Sequence, residues 1–214
     1  MAKNRLSYKI DYRRNLPHIQ PPGASLFVTF RLAGSLPASV QAILQAEIEE
    51  QEDALQDIPD ATERARRQYE AQKQHFGRWD AALDVEPSGP HWLKEPRVAQ
   101  LVADSIHHLD GSLYDLDSFC IMSNHVHMLF TPVQEDNGAY YGLARIMHSL
   151  KGYTAKQANQ LMGRAGQFWQ RESYDHIVRD PDEFLRIRHY ILNNPVKAGL
   201  VERWLDWPYT YCTS

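Results

Sequence analysis

The spacing of apolar positions changes period several times along the chain, and each change marks an element. Ser25 to Leu32 is rich in β-branched and aromatic residues and bounded by Gly23 and Gly34, which predicts a strand. From Ala38 to Phe76 the pattern is helical. Val40, Ile43, Leu44, Ile48 and Leu55 recur at spacings of three, four and seven, and a second, mostly polar helix is expected over about 62–76. Residues 77–96 carry Pro87, Gly89, Pro90 and Pro96 and read as a loop. Helix 97–109 follows, with Val98, Leu101, Val102 and Ile106 as its stripe. Strands over about 113–121 and 125–131, joined by a tight turn near Ser123-Asn124, predict a β-hairpin. A helix is expected from about Tyr141 to Met162, with Leu143, Ile146, Met147, Leu150 and Ala158 inward, and a strand-like run from Ser173 to Arg179. Asp180 as N-cap, Pro181 at the first helical position and Glu183 three residues after the cap specify the last helix. Phe184, Ile187 and Ile191 share one of its faces; Arg186, Tyr190 and Asn194 share another, and Pro195 is expected to end it at about Asn194.

This order predicts an α+β fold, an antiparallel sheet with helices gathered on one face. One domain is expected over 1–214, with an acidic helical insertion at about 38–86 and an aromatic tail at 202–214, whose Trp204, Trp207 and Tyr209 suit either stacking on unpaired bases or, the reading favoured, pinning the C-terminus to the core.

Composition excludes several classes. No apolar run is long enough to span a bilayer, and Met1 to Asn15 is basic and polar without a signal-peptide core. Two cysteines, Cys120 and Cys212, make neither a disulfide framework nor a metal-site spacing, so a reducing cytoplasm is expected. The formal net charge of −4 conceals an asymmetry. Of 27 acidic and 23 basic side chains, 12 and 5 fall within 38–90, which leaves 15 acidic against 18 basic elsewhere. The remainder therefore permits a phosphate-rich partner. A basic arm, with Arg5, Lys9, Arg13 and Arg14, suits either phosphate contact or a solvated tail.

The chemistry concentrates in Asn124-His125-Val126-His127. Strand alternation puts His125 and His127 on one face and Val126, Met128 and Phe130 on the other. Two neutral imidazoles suit a divalent metal. Tyr190 and Asn194 share a helix face and add a hydroxyl and a neutral oxygen ligand, appropriate to a hard ion such as Mg2+ or Mn2+. Such a set suits attack by a tyrosine oxygen on a metal-bound phosphodiester. Tyr153 and Tyr174 are rival nucleophiles. Arg145, Lys151, Lys156, Arg186 and Lys197 are candidate phosphate contacts, and Gln170, Glu172 and His176 candidate DNA or outer-shell contacts.

The His-x-His motif resembles that of the HUH endonucleases, and Tyr190-x-x-x-Asn194 resembles the tyrosine-helix motif of single-tyrosine insertion-sequence transposases. Tyr190-Ile-Leu-Asn-Asn-Pro-Val-Lys-Ala-Gly-Leu-Val201, Ser149-Leu-Lys-Gly-Tyr-Thr-Ala155 and Phe168-Trp-Gln-Arg-Glu-Ser-Tyr-Asp-His176 are similar to segments of the bacterial REP-associated tyrosine transposases. The resemblance covers roughly 23–36 and 90–208. It implies a ferredoxin-like core, one divalent metal, and cleavage and rejoining of single-stranded DNA at hairpin elements through a 5′-phosphotyrosine. It implies Tyr190 as nucleophile, His125 and His127 as metal ligands and Asn194 as the third, where many relatives carry Gln. Monomer and homodimer both occur among such proteins. Two other readings use the same residues: a repeat-DNA-binding protein that no longer cuts, and a metal hydrolase with water as nucleophile. The second would want an acid at 129, where Leu129 stands.

Overall fold

A computed structural model of the chain describes residues 23–85 and 89–213; the basic arm at 1–22 lies outside them. Its centre is an antiparallel sheet of β1 (Leu26–Arg31), β2 (Tyr114–Ile121), β3 (His125–Pro132), β4 (Tyr174–Ile177) and β5 (Thr210–Cys212), in the order β4-β1-β3-β2-β5. With α3 (Pro96–Leu109) between β1 and β2, and α4 (Leu143–Leu161) between β3 and β4, the first four strands form the βαββαβ arrangement of a ferredoxin-like core. The expected α+β antiparallel architecture is present.

Period-two alternation gives each strand two different faces. Leu26, Val28 and Phe30 of β1, with Val126, Met128 and Phe130 of β3, point to the side covered by α3 and α4, where Val98, Val102, Ile106, Ile146 and Leu150 complete an aliphatic and aromatic core. Burying each such side chain stabilises the fold by about 2 kcal/mol. Both core helices therefore lie on one face, as expected. The other face is covered as well. Phe27, Cys120 and Leu129 pack there against α5 (Pro181–Lys197), with Phe76 of the helix Ala61–Val85 alongside.

Two helix ends differ from those expected, and one strand is added. The helical pair between β1 and α3 is α1 (Ala38–Gln56) and α2 (Ala61–Val85), so α2 continues nine residues beyond Phe76 into the stretch read as a loop. It passes through Gly77, where a glycine costs about 1 kcal/mol relative to alanine. The next turn repays this through Trp79, whose indole donates to His75 Nε2 and whose ring faces the Arg31 guanidinium, and through Asp80 and Leu83, which are both buried. Pro195 lies inside α5, which ends at Lys197 and not at Asn194. Asn194 keeps helical geometry although it precedes proline, packed against His127 at 1% exposure, and its carbonyl accepts from the Ala198 amide at 3.0 Å. The aromatic tail does dock on the core: Trp207 Nε1 donates to the Ile121 carbonyl at 3.0 Å and Tyr211 stacks on Phe119. It also adds β5 to the edge of β2, a strand of three residues and too short to register as a sequence pattern. Among the described residues no helix is long and apolar enough to cross a membrane.

Candidate metal and tyrosine site

His125 and His127 sit at the start of β3 on the face away from α3 and α4, and both are essentially inaccessible, at 1% and 0% exposure. Their Nε2 atoms face each other at 3.1 Å. The tautomer of His125 follows from its partners. Asn124 Nδ2 donates to the Leu83 carbonyl at 2.9 Å, so Asn124 turns its Oδ1 to His125 Nδ1, at 2.7 Å. An oxygen acceptor there requires the proton on Nδ1, which leaves Nε2 with a bare lone pair. Burial, and then the neighbouring imidazole, push the His125 pKa down to about 3, so the ring is neutral. His127 Nδ1 pairs with the Thr29 hydroxyl at 2.7 Å, on the residue directly opposite it in β1. Both rings are thus oriented from their outer nitrogens, as metal-binding histidines are.

The last turns of α2 and α5 close over this pair. Asp80 Oδ1 lies 3.2 Å from His127 Nε2 and 3.8 Å from His125 Nε2. Asp80 Oδ2 accepts the Tyr190 hydroxyl and lies 3.6 Å from Lys197 Nζ. Burial alone would raise the Asp80 carboxyl; the neighbouring His127 and His125 rings and the Tyr190 hydroxyl outweigh it and keep the carboxylate ionised, below its ordinary range. Tyr190 moves the opposite way. Burial, and then the charge of Asp80, push its hydroxyl far above the ordinary phenol range. Asn194 presents Nδ2 to His127 Nε2 at 3.2 Å.

Asp80, His125 and His127 offer three ligand atoms within 4.8 Å of one another, all buried. Asp80 Oδ1 and Asn194 Oδ1 are also buried and accept no hydrogen bond. A bare imidazole lone pair facing an orphaned Asp80 oxygen in a dry pocket, with a second orphaned oxygen on Asn194 nearby, is costly unless a cation is shared there. The donor set, two neutral nitrogens and hard oxygens, fits a divalent metal.

The structure therefore brings together His125, His127, Tyr190, Asn194 and Lys197. It adds Asp80 and Thr29, which sequence reasoning did not single out, and gives a role to Asn124, which the motif contained without one. Asp80 had a signal, since Tyr69, Phe76, Asp80 and Leu83 repeat at spacings of seven, four and three, but reading 77–96 as a loop hides it. The remaining candidates lie elsewhere. Arg145, Lys151 and Lys156 are on α4, which packs on the opposite side of the sheet. Arg145 pairs with Glu135 at 3.2 Å, and Lys156 is exposed. Lys151 donates to the Arg171 carbonyl and to Ser173 Oγ, and burial lowers its pKa to about 8. With Gln170, whose amide donates to Glu172, it lines a cleft of about 520 Å3. His176 Nε2 lies 3.1 Å from Glu183 Oε1, and Arg186 is exposed on α5. Of the rival tyrosines, Tyr174 stacks on Phe76 at 4.3 Å beside the site, whereas Tyr153 is 56% exposed on α4.

An α+β core thus carries a buried His-x-His pair and a carboxylate that could hold a metal, beside a helix-borne tyrosine. Residues 94–194 match the family described as transposase, IS200 like, and the chain is similar to proteins named REP-associated tyrosine transposases. A Haemophilus influenzae protein provisionally named a REP-associated tyrosine transposase is 28% identical over 102 residues, which is 45% of this chain and 58% of that one. The REP-associated tyrosine transposase of Escherichia coli K12 is 24% identical over 97 residues, covering 45% of this chain and 53% of that one. The chain thus spans somewhat more than half the length of the curated relatives it matches. A solved structure of a REP-associated tyrosine transposase bound to a REP hairpin aligns with 98% of this chain and 82% of its own, at 15% identity and a TM-score of 0.49.

Proposed function

We propose that this chain cleaves and rejoins single-stranded DNA at REP-like hairpin elements through a covalent 5′-phosphotyrosine at Tyr190. The observation that carries the reading is the meeting of the Tyr190 hydroxyl with the His125–His127 pair around the Asp80 carboxylate. His125 and His127 hold one divalent metal, Mg2+ or Mn2+, with a further oxygen drawn from Asp80 Oδ1 or Asn194 Oδ1. The metal, when bound, polarises a nonbridging phosphate oxygen and neutralises charge that develops in the transition state.

The chain's own residues do the rest. Asp80 orients the Tyr190 hydroxyl and accepts its proton as the phenolic oxygen attacks phosphorus. A Tyr190 O–P bond forms, the bond from phosphorus to the 3′-oxygen breaks, and that oxygen leaves as a 3′-hydroxyl after taking a proton from water, while Asp80 releases the phenolic proton to solvent. The ester keeps the energy of the broken bond, so a 3′-hydroxyl attacking the same phosphorus restores a continuous strand and returns Tyr190 to its phenol. Lys197, 52% exposed at the rim, is placed to meet the entering phosphate. The exposed Arg186 on α5 adds a further phosphate contact; the cleft at Lys151 and Gln170, with Arg145 and Lys156 on the same helix, is a second DNA contact region.

The test is a denaturing gel of the protein with Mn2+ and labelled single-stranded hairpin oligonucleotides taken from repeats beside its own gene. A metal-dependent, slow-migrating adduct is expected, and Tyr190→Phe abolishes it. Cleavage that survives in Tyr190→Phe would mean that water or Tyr174 attacks. Hairpin binding without cleavage across both metals would assign a DNA-binding module that no longer cuts.

A further inference from the structure

We infer that Asp80 is the third metal ligand and that the metal thereby fastens α2 onto the core, so that metal binding and closure of the α1–α2 pair over Tyr190 are one linked equilibrium. This rests on the metal reading above and goes beyond it. It moves a ligand from the tyrosine helix to a helix outside the matched segment 94–194.

The choice between the two orphaned oxygens follows from charge and direction. Asp80 is an ionised carboxylate whose Oδ1 already faces both Nε2 atoms, at 3.2 and 3.8 Å. Asn194 is neutral and turns its Nδ2, a donor, toward the same ring. An anionic oxygen also gives a divalent cation the charge compensation that two neutral imidazoles lack. The dependence on α2 is doubled by its backbone: the Leu83 carbonyl, three residues after Asp80, fixes Asn124 and through it the His125 tautomer. Undocking α2 therefore removes a ligand and frees the orientation of a second. The converse also holds. α2 has few apolar anchors of its own, so a cation bound only by the docked form shifts the docking equilibrium by mass action, about 100-fold at a concentration 100 times Kd. Closure covers the nucleophile as well, because the Tyr190 hydroxyl is engaged by the same carboxylate.

The experiment uses the full chain and Mn2+ alone, without DNA. Isothermal titration compares wild type, Asp80→Asn and His125→Ala, and amide hydrogen exchange across residues 61–85 is followed in wild type with and without Mn2+. Asp80→Asn is expected to bind Mn2+ at least about tenfold more weakly, the scale set by losses of even outer-shell partners. Mn2+ should slow exchange in 61–85 of wild type by up to about 100-fold near saturation. If His125→Ala abolishes Mn2+ binding while Asp80→Asn binds within twofold of wild type, the histidine site stands and Asp80 is not in it. Unchanged exchange in 61–85 at saturating Mn2+ overturns the linkage without recourse to any variant. Failure of wild type to bind Mn2+ at all would overturn the metal reading itself.

Discussion

α5 and α2 lie on the same face of the sheet and meet at Tyr190 and Asp80, yet different forces hold them there. α5 has a side-chain N-cap, with the Glu183 amide donating to Asp180 Oδ1 at 2.7 Å, and it buries Ile191 and Leu192 with Phe184 and Ile187 against β2 and β3. Along α2 the described side chains that are fully buried are Asp80 and Leu83. Its other fastenings are discrete: Tyr69 donating to Glu183, Phe76 stacked on Tyr174 at 4.3 Å, and Lys197 with Asp84 at 3.2 Å. One helix is held by area removed from water, the other by a short series of directional contacts. The first kind of attachment supports the fold; the second supports a geometry and can be released one contact at a time.

The largest effect that would sharpen this contrast is loss of Ile191. The side chain is fully buried among Phe27, Cys120 and Leu129. Ile191→Ala removes its transfer energy and leaves a cavity, so urea denaturation should show a loss of about 3 kcal/mol of global stability. A loss below about 1 kcal/mol would mean that α5 is no better anchored than α2.

A smaller effect tests whether α2 is docked in solution without metal. His125 is dry because α2 and α5 close over it, and its pKa is depressed from 6.5 to about 3, by burial first and then by His127. The unfolded chain therefore takes up this proton before the folded one does. The stability contributed by neutral His125 is complete above pH 6.5 and is lost as pH falls toward 3. Between pH 7.5 and 5.5 in chelator-treated protein the loss should be about 1.4 kcal/mol, and His125→Gln should remove that part of the slope. Equal slopes in the two proteins would show that His125 is solvated and that α2 stands away from it when metal is absent.

The same contrast explains what could be read in the sequence. Asp180, Pro181 and the Phe184–Ile187–Ile191 stripe announce α5, and the alternation of β3 puts His125 and His127 on one face, because caps and burial follow local periodicity. The division of helices between two faces was less legible, since Phe27 and Leu129 are single apolar positions among Thr29, Arg31 and the histidines. Asp80 was concealed for a physical reason. α2 is polar along most of its length and contains Gly77, so local rules end it early, and the contacts that sustain it come from Arg31, Asn124, Glu183 and Tyr190, distant in sequence. Polar contacts of that kind leave no period in the chain.

The smallest effect on global stability is expected from Tyr69→Phe, which acts only on how α2 is fastened. The hydroxyl donates to Glu183, and burial followed by that hydrogen bond pushes the Tyr69 pKa up to about 12. Removing it does not orphan the carboxylate, which still accepts from the Arg179 amide at 2.8 Å and faces His176 Nε2 at 3.1 Å. The phenyl ring keeps its place beneath the Arg179 guanidinium, 3.7 Å from the ring centre. About 1 kcal/mol of docking energy should therefore be lost with no new desolvation penalty. If α2 opens as a local unit, amide exchange over 61–76 should quicken about fivefold, while urea unfolding changes by less than about 0.5 kcal/mol. A global loss near 2 kcal/mol would instead place α2 in the same cooperative unit as α5, and the distinction between a helix held by area and a helix held by contacts would fail.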